Sequence, residues 1–173
     1  PVQFVFAGKA HPQDEGSKRI LQQLAQWKYD ARVRQRAVFL EDYDQEIARQ
    51  LVQSVDVWLN VPRRPLEASG TSGEKVAMNG GLNLSILDGW WLEGYDGTNG
   101  FAIGNGVDTE DVPQIDASDA QSLYRVLEED VIPLYYDRDQ GGIPHGWVRM
   151  AKESLRSIVP RFSASRMLKE YTN

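Results

Sequence analysis

Short apolar runs alternate with helical patterns along this chain, and this order constrains the fold more than any other feature. Runs rich in β-branched and aromatic residues predict strands at residues 2–7, 37–40, 55–61, 83–88 and 100–104. Apolar residues at helical spacing predict helices at residues 17–29, 45–54, 72–79, 119–136 and 147–171. Short apolar strands separated by helices are typical of a parallel sheet covered on both faces, so we predict a Rossmann-like α/β fold.

Local signals refine the ends of these elements. Ser118 and Asp119 are candidate caps for the fourth helix, and Pro160 is expected to bend or split the last one. Residues 91–100 are rich in glycine and predict an exposed loop. The two tryptophans before it, Trp90 and Trp91, could stack on a sugar, but core packing or a domain contact is the favoured expectation.

Composition excludes several classes of protein. The net charge of −6 and the pI near 5.0 argue against a general binder of nucleic acid or of anionic membranes. No apolar run approaches the ~20 residues of a membrane-spanning helix. The absence of cysteine excludes disulfides and cysteine-ligated metals and is compatible with the cytoplasm, and His11 and His145 are too far apart to suggest a metal site.

Length favours a single domain over residues 1–173, with residues 145–173 as closing helices. The chain begins at Pro1, without methionine, and enters a strand almost at once. We therefore expect it to be part of a longer polypeptide.

A loop of small residues ends in a lysine where a helical pattern begins, at residues 63–75. Small residues let backbone N–H groups at a helix start approach a phosphate, and the helix dipole favours that anion. Lys75, one turn further, could form a Schiff base with an aldehyde cofactor, and the combination suggests pyridoxal phosphate. An ordinary capped helix with a solvated Lys75 is the alternative, and the spacing does not fit a P-loop.

Other polar residues also follow predicted strands. Lys9 follows the first strand, Tyr43 the second, and Asp88 and Gly89 the fourth. Ligands of open parallel sheets bind beyond the carboxyl ends of the strands. These strand ends are therefore expected to meet at one crevice.

Several motifs, in order along the chain, resemble the α-glucan phosphorylases, the family that acts on glycogen, starch and maltodextrin. Residues 67–75, 79–81 and 88–89 are similar to the cofactor segment of that family. Residues 8–12 are similar to its Gly-Lys-Ala-x-Pro strand end, and residues 39–43 are similar to its Phe-Leu-Glu-Asn-Tyr segment. A Phe-Ser-x-x-Arg signature is similar to residues 162–166, and residues 84–91 resemble the shorter bacterial branch.

This resemblance implies a role for individual residues. Lys75 would hold pyridoxal phosphate as a Schiff base, and the backbone amides of Thr71 and Ser72 would hold the cofactor's phosphate. Glu67, Ser69 and Gly70 would bind hydroxyl groups of the glucosyl unit. Tyr43 would lie near the cofactor, and Lys9 would have a loosely defined role at a strand end. Glu93, after a strand end, is an additional candidate for contact with substrate or cofactor. No residue of this chain is assigned as the catalytic acid or base.

The resemblance also implies the reaction. Inorganic phosphate would release glucose 1-phosphate from an α-1,4-glucan with retention of configuration, and the cofactor's phosphate would donate and accept the proton. The chain would be the carboxy-terminal half of a two-domain glycosyltransferase of the GT-B type, with a homodimer as the parent's assembly. The amino-terminal domain and the basic segment that clamps the substrate phosphate would precede Pro1, so the fragment alone is expected to be inactive.

Two departures and two alternatives remain. Glu74 replaces an uncharged residue of the family and is expected to face solvent, and Asp44 follows Tyr43 where many relatives have a basic or neutral residue. A nucleotide-sugar glycosyltransferase of the same architecture would need no lysine after the Gly-Thr-Ser-Gly loop. A non-catalytic Rossmann-like binding module is the other alternative.

Overall fold

The computed structural model describes residues 2–104 and 111–172, which form two compact units, Pro1–Gln50 and Leu51–Asn173. The first unit is built on strand β1 (Phe4–Ala7), helix α1 (Glu15–Gln26), a 3₁₀ turn (Trp27–Tyr29) and strand β2 (Ala37–Leu40). The strands pair in parallel, with Phe4 opposite Ala37 and Ala7 opposite Leu40. Trp27 packs edge-on against Phe6, at 5.5 Å between ring centroids, and so joins the end of α1 to the sheet.

Helix α2 (Gln45–Ser54) leads into the second unit, whose strands are β3 (Val57–Asn60), β4 (Leu82–Ile86) and β5 (Phe101–Ile103). These three strands pair in parallel in the order β3-β4-β5. The helices of this unit are α3 (Thr71–Met78), α4 (Trp90–Gly94), α5 (Val112–Val126), a π-helical segment (Leu127–Val131), α6 (Ile132–Tyr136), α7 (His145–Arg161) and α8 (Ala164–Thr172).

Strand β4 is buried on both faces. Leu82, Leu84 and Ile86 lie in one core cluster with Val126 and Trp147, which come from α5 and α7. Successive side chains of a strand point to opposite faces, so Asn83 and Ser85 face the other way. Asn83 there donates a 3.0 Å hydrogen bond to the carbonyl of Gly73 in α3. The prediction of parallel strands flanked by helices is confirmed, although the described strands pair as two separate sheets.

Two predicted boundaries are wrong. The fourth predicted helix starts at Val112, seven residues before Asp119, because Asp111 is its cap and accepts a hydrogen bond from the amide of Gln114 at 3.2 Å. Residues 91–100 are not an exposed loop, since α4 occupies Trp90–Gly94 and Trp91 is fully buried. The expected break near Pro160 is confirmed, because α7 ends at Arg161 and α8 begins at Ala164.

The described residues, 2–104 and 111–172, contain neither a membrane-spanning helix nor a metal-binding cluster. Among these residues, no helix combines the length and the apolar character needed to cross a membrane. The same residues contain no group of three or more histidine, aspartate or glutamate side chains arranged to hold a metal ion.

Candidate functional site

The amino end of α3 is formed by a glycine in a left-handed conformation. Gly70 has φ 83° and ψ 50°, which favours glycine, and it directly precedes the first helical residue, Thr71. Within the described part of the chain, no side chain caps this helix. The first N–H groups of a helix have no partner inside the helix. The backbone amides at the start of α3 therefore form a site suited to an anion.

Lys75 turns its ammonium group back toward this end of the helix. Its Nζ donates a 3.0 Å hydrogen bond to Oγ1 of Thr71, one turn earlier, and both residues are exposed. The backbone carbonyl of Lys75 accepts a 2.7 Å hydrogen bond from Asn79, one turn later. The sequence-predicted pair of Lys75 and the 70–72 turn is thus brought together, with the amine accessible from solvent.

The loop before α3 lies on the carboxyl end of β4. The N–H of Glu67 donates to Oδ2 of Asp88 at 2.8 Å, and the N–H of Trp90 donates to the carbonyl of Ser69 at 2.9 Å. Gly89, between them, has φ 53°, and a Cβ there would lie 2.5 Å from the Ser69 carbonyl oxygen. No residue larger than glycine is compatible with this short distance between the backbone at position 89 and the Ser69 carbonyl.

Glu67 is held between two glycines. A Cβ added at Gly89 would lie 2.9 Å from Cγ of Glu67, and one added at Gly70 would lie 3.1 Å from its Oε1. The Glu67 carboxylate therefore lies beside the amino end of α3. Glu67, Ser69, Gly70, Thr71, Ser72 and Lys75 belong to one continuous stretch of the sequence that contains the start of α3.

Asn83 fixes the position of α3 on the sheet, a role that the sequence analysis did not assign. It is buried, with 1% of its surface exposed, and its amide group bonds to the carbonyl of Gly73 at 3.0 Å. A Cβ at Gly73 would lie 2.4 Å from Oδ1 of Asn83 and 2.9 Å from the Trp90 ring. The Gly73 and Asn83 pair is visible in the sequence only as a glycine in a helix and a polar residue in a buried strand.

The prediction that Glu74 faces solvent is only partly met. Glu74 is half-buried, and this burial raises the pKa of its carboxyl group above the ordinary value of 4.5, while the charge of Lys75 acts in the opposite direction. The ionised form of Glu74 is therefore disfavoured in the folded chain.

Lys9 and Tyr43 belong to the Pro1–Gln50 unit. Lys9 is exposed and follows β1, and Tyr43 is half-buried and follows β2, so the two residues follow the carboxyl ends of neighbouring parallel strands. Asp44, one of the departures from the family pattern, accepts a 2.8 Å hydrogen bond from the amide of Ile47 at the start of α2. Asp44 thus has a structural function as a helix cap.

Glu93 and the two tryptophans belong to α4 of the second unit. Glu93 is exposed at the end of α4, and its backbone carbonyl accepts a 2.8 Å hydrogen bond from Arg161, at the end of α7. Trp91 has 0% of its surface exposed and donates to the Phe101 carbonyl at 3.1 Å. Trp90 is also buried, so the expectation of core packing for both is confirmed and stacking of Trp91 on a sugar is excluded.

The family and the relatives of the chain agree with the earlier resemblance. The sequence profile described as "Phosphorylase: Carbohydrate phosphorylase" matches residues 1–132. The chain is 52% identical to a glycogen phosphorylase of Aquifex aeolicus and 49% identical to a maltodextrin phosphorylase of Thermococcus litoralis, in both cases over 100% of this chain. It is 47% identical to a glycogen phosphorylase of Mycobacterium tuberculosis over 99% of this chain. It spans only 25%, 20% and 20% of the lengths of these relatives.

Proposed function

Because the chain belongs to the carbohydrate phosphorylase family, we propose that it is part of an α-glucan phosphorylase. Such an enzyme uses inorganic phosphate to release glucose 1-phosphate from α-1,4-glucans. Relatives named glycogen and maltodextrin phosphorylase match it along its whole length, which supports this choice of substrate class. The chain spans a fifth to a quarter of these relatives. In our proposal the remaining parts of the active site come from residues outside this chain, within a two-domain enzyme of the GT-B type.

One observation carries the proposal: the Lys75 ammonium lies 3.0 Å from Thr71 Oγ1, at a helix start without a side-chain cap among the described residues. This arrangement fits pyridoxal phosphate, because an amine and a set of unpaired N–H groups lie within one helical turn. Lys75 would hold the cofactor as a Schiff base, and the amides of Thr71 and Ser72 would hold its phosphate. When bound, the cofactor supplies a phosphate group with a second pKa of ~6, which can donate and accept a proton at neutral pH.

In this proposal, the residues of the chain itself bind and orient. Lys75 anchors and does not act as the catalytic base. Glu67, Ser69 and Gly70 provide a carboxylate, a hydroxyl and a backbone for the hydroxyl groups of a glucosyl unit, beside the same helix start. The family resemblance alone suggests a contact of Tyr43 with the cofactor and a loosely defined strand-end role for Lys9, and we keep both as part of the proposal. Glu93 stays the weaker candidate for contact with substrate or cofactor, since its side chain is exposed and its contact with Arg161 uses only the backbone carbonyl.

The proposal is tested by chemical labelling of the complete native enzyme that contains this chain. We expect the purified enzyme to show the absorption of a buried Schiff base, and borohydride reduction followed by peptide mapping to identify Lys75 as the modified residue. The Lys75→Ala enzyme should carry no reduced label and should lose phosphorolysis of maltodextrin by at least about 10³-fold, because the cofactor is no longer anchored.

Lys152→Ala is the matched control, since Lys152 is an exposed lysine on α7 of the same unit. This variant should keep both the label and the activity. A label on another lysine, or an enzyme that is fully active without any label, would contradict the assignment of Lys75.

A further inference from the structure

A buried aspartate outside the predicted contacts holds the loop that carries Glu67. Asp88 has 6% of its surface exposed, and its Oδ2 accepts the N–H of Glu67 at 2.8 Å across 21 residues of sequence. A buried carboxylate requires such partners, and a bond between a charged acceptor and a backbone N–H is among the stronger hydrogen bonds.

A second bond holds the same loop two residues further on. The N–H of Trp90 donates to the carbonyl of Ser69 at 2.9 Å. Glu67 is therefore hydrogen-bonded to Asp88, and Ser69 is hydrogen-bonded to Trp90. Gly89, between these contacts, leaves no room for a side chain, since its Cβ position lies 2.5 Å from the Ser69 carbonyl oxygen. The loop is thus fixed against the strand end at two points, with backbone in direct contact between them.

This arrangement also sets the direction of the Glu67 side chain. With its N–H fixed by Asp88, Glu67 extends between the Cβ positions of Gly89 and Gly70, at 2.9 Å from Cγ and 3.1 Å from Oε1 respectively. A change at Asp88 would release the Glu67 backbone and let this carboxylate leave the amino end of α3. The effect would pass through Glu67, because Asp88 itself is buried.

We propose that Asp88 is a positioning residue for sugar recognition: it orients the segment from Glu67 to Gly70 and thereby sets how strictly the enzyme selects the hydroxyl groups of the glucosyl unit. The inference rests on the proposed phosphorylase function. It adds a residue that touches neither cofactor nor sugar and that determines specificity through the backbone of Glu67.

The kinetic test compares Asp88→Ala with Asp88→Asn in the complete, cofactor-loaded enzyme. Asparagine keeps an oxygen acceptor of the same shape, so this variant should stay within about threefold of wild type. Asp88→Ala should raise KM for glucose 1-phosphate by about tenfold and reduce discrimination against 3-deoxy and 2-deoxy analogues by a similar factor, with Lys75 still labelled by borohydride. In Asp88→Ser the hydroxyl is too short to reach the amide of Glu67, so this variant is expected to behave like Asp88→Ala. If Asp88→Ala does not fold, Asp88→Ser takes its place in the comparison.

Asp111→Ala is the matched control, because Asp111 also accepts a backbone N–H, that of Gln114 at 3.2 Å, but caps α5. It should lower the thermal midpoint and leave analogue discrimination unchanged. Hydrogen exchange of the peptide covering residues 66–70 gives a readout independent of activity. We expect faster exchange at the Glu67 amide in Asp88→Ala and Asp88→Ser, and wild-type protection in Asp88→Asn.

Unchanged discrimination together with unchanged protection of the Glu67 amide in Asp88→Ala would overturn the inference. A lower thermal midpoint without a change in discrimination would do the same, since it would reduce Asp88 to a stabilising residue. A wild-type enzyme without a cofactor on Lys75 would instead refute the proposed function, and the exchange measurement would still decide whether Asp88 positions Glu67.

Discussion

At the scale of single residues, the candidate site depends on contacts that only glycine permits. A Cβ at Gly73 would lie 2.4 Å from Asn83 Oδ1, and one at Gly89 would lie 2.5 Å from the Ser69 carbonyl oxygen. Both distances are far below ordinary contact, so α3 and the loop before it approach β4 more closely than any other residue would allow. The sequence predicts Gly73 inside a helix and Gly89 at a strand end, but the partners of each glycine lie 10 to 22 positions away and follow only from the fold.

Glu74 gives a prediction about pH at the same scale. Burial raises the pKa of Glu74 in the folded chain above its ordinary value of 4.5. Below pH ~4.5 the group is mostly protonated in both states and has little effect on stability. As the pH rises through the raised pKa, the unfolded chain loses its proton more readily, so folding is penalised, and the full penalty is present above that pKa.

The Glu74→Gln variant should therefore be more stable than wild type at pH 7 and equal to it at pH 4. The gain should be below about 1 kcal/mol, because the side chain is partly solvated. Urea denaturation of the complete enzyme at both pH values measures this difference. Glu128→Gln is the control, since Glu128 is exposed in the π-helical segment and should give no such pH-dependent gain. A gain at pH 4 as large as at pH 7 would refute the role assigned to burial.

At the scale of secondary structure, the pattern of residues predicts the strands and the longer helices because their stability comes from periodic burial. Strand β4 is predicted as buried and has every residue buried, and α2 has its predicted bounds, Gln45–Ser54. Helix α4 was missed since it has only five residues and depends on tertiary contacts, namely the burial of Trp91 and its bond to the Phe101 carbonyl. A helix this short is not stable in isolation.

The start of α5 was missed for a different reason. Asp111 followed two residues later by Pro113 is a recognisable start signal, but the apolar periodicity becomes regular only further along the helix. The candidate site divides in the same way. The loop and Lys75 at the start of α3 follow from spacing, whereas the direction of the Lys75 ammonium and the Asp88–Glu67 hydrogen bond depend on packing that spacing does not encode.

Asp111 supports a prediction that separates the two possible helix starts. Asp111→Ala should lower the free energy of unfolding by about 1 kcal/mol, because the amide of Gln114 loses its acceptor. Ser118→Ala, at the start predicted from the sequence, should change it by less than about 0.5 kcal/mol, since Ser118 lies inside α5. Urea denaturation of the complete enzyme measures both. Equal losses in the two variants would mean that the cap at Asp111 does not stabilise the helix.

At the scale of the whole molecule, the described residues include many exposed large apolar side chains, and three of them lie on α8. Met167, Leu168 and Tyr171 of α8 are 50%, 59% and 82% exposed, and their spacing places them on one face of the helix. Exposed apolar faces of this kind mark interaction surfaces. The chain spans only 20–25% of the relatives described above, so much of the polypeptide of those relatives has no counterpart in it.

The 173-residue chain studied alone should therefore associate with itself through α8, despite its net charge of −6. Replacing Met167 and Leu168 together by serine should shift the sedimentation profile toward monomer, because the apolar face of α8 is interrupted. Lys169→Ser is the matched control, since it changes a charged residue of the same helix without removing apolar surface. Equal association in both variants would assign the contact to another surface, and the exposed Phe4, Val5 and Val38 of the β1–β2 sheet would be the next residues to substitute.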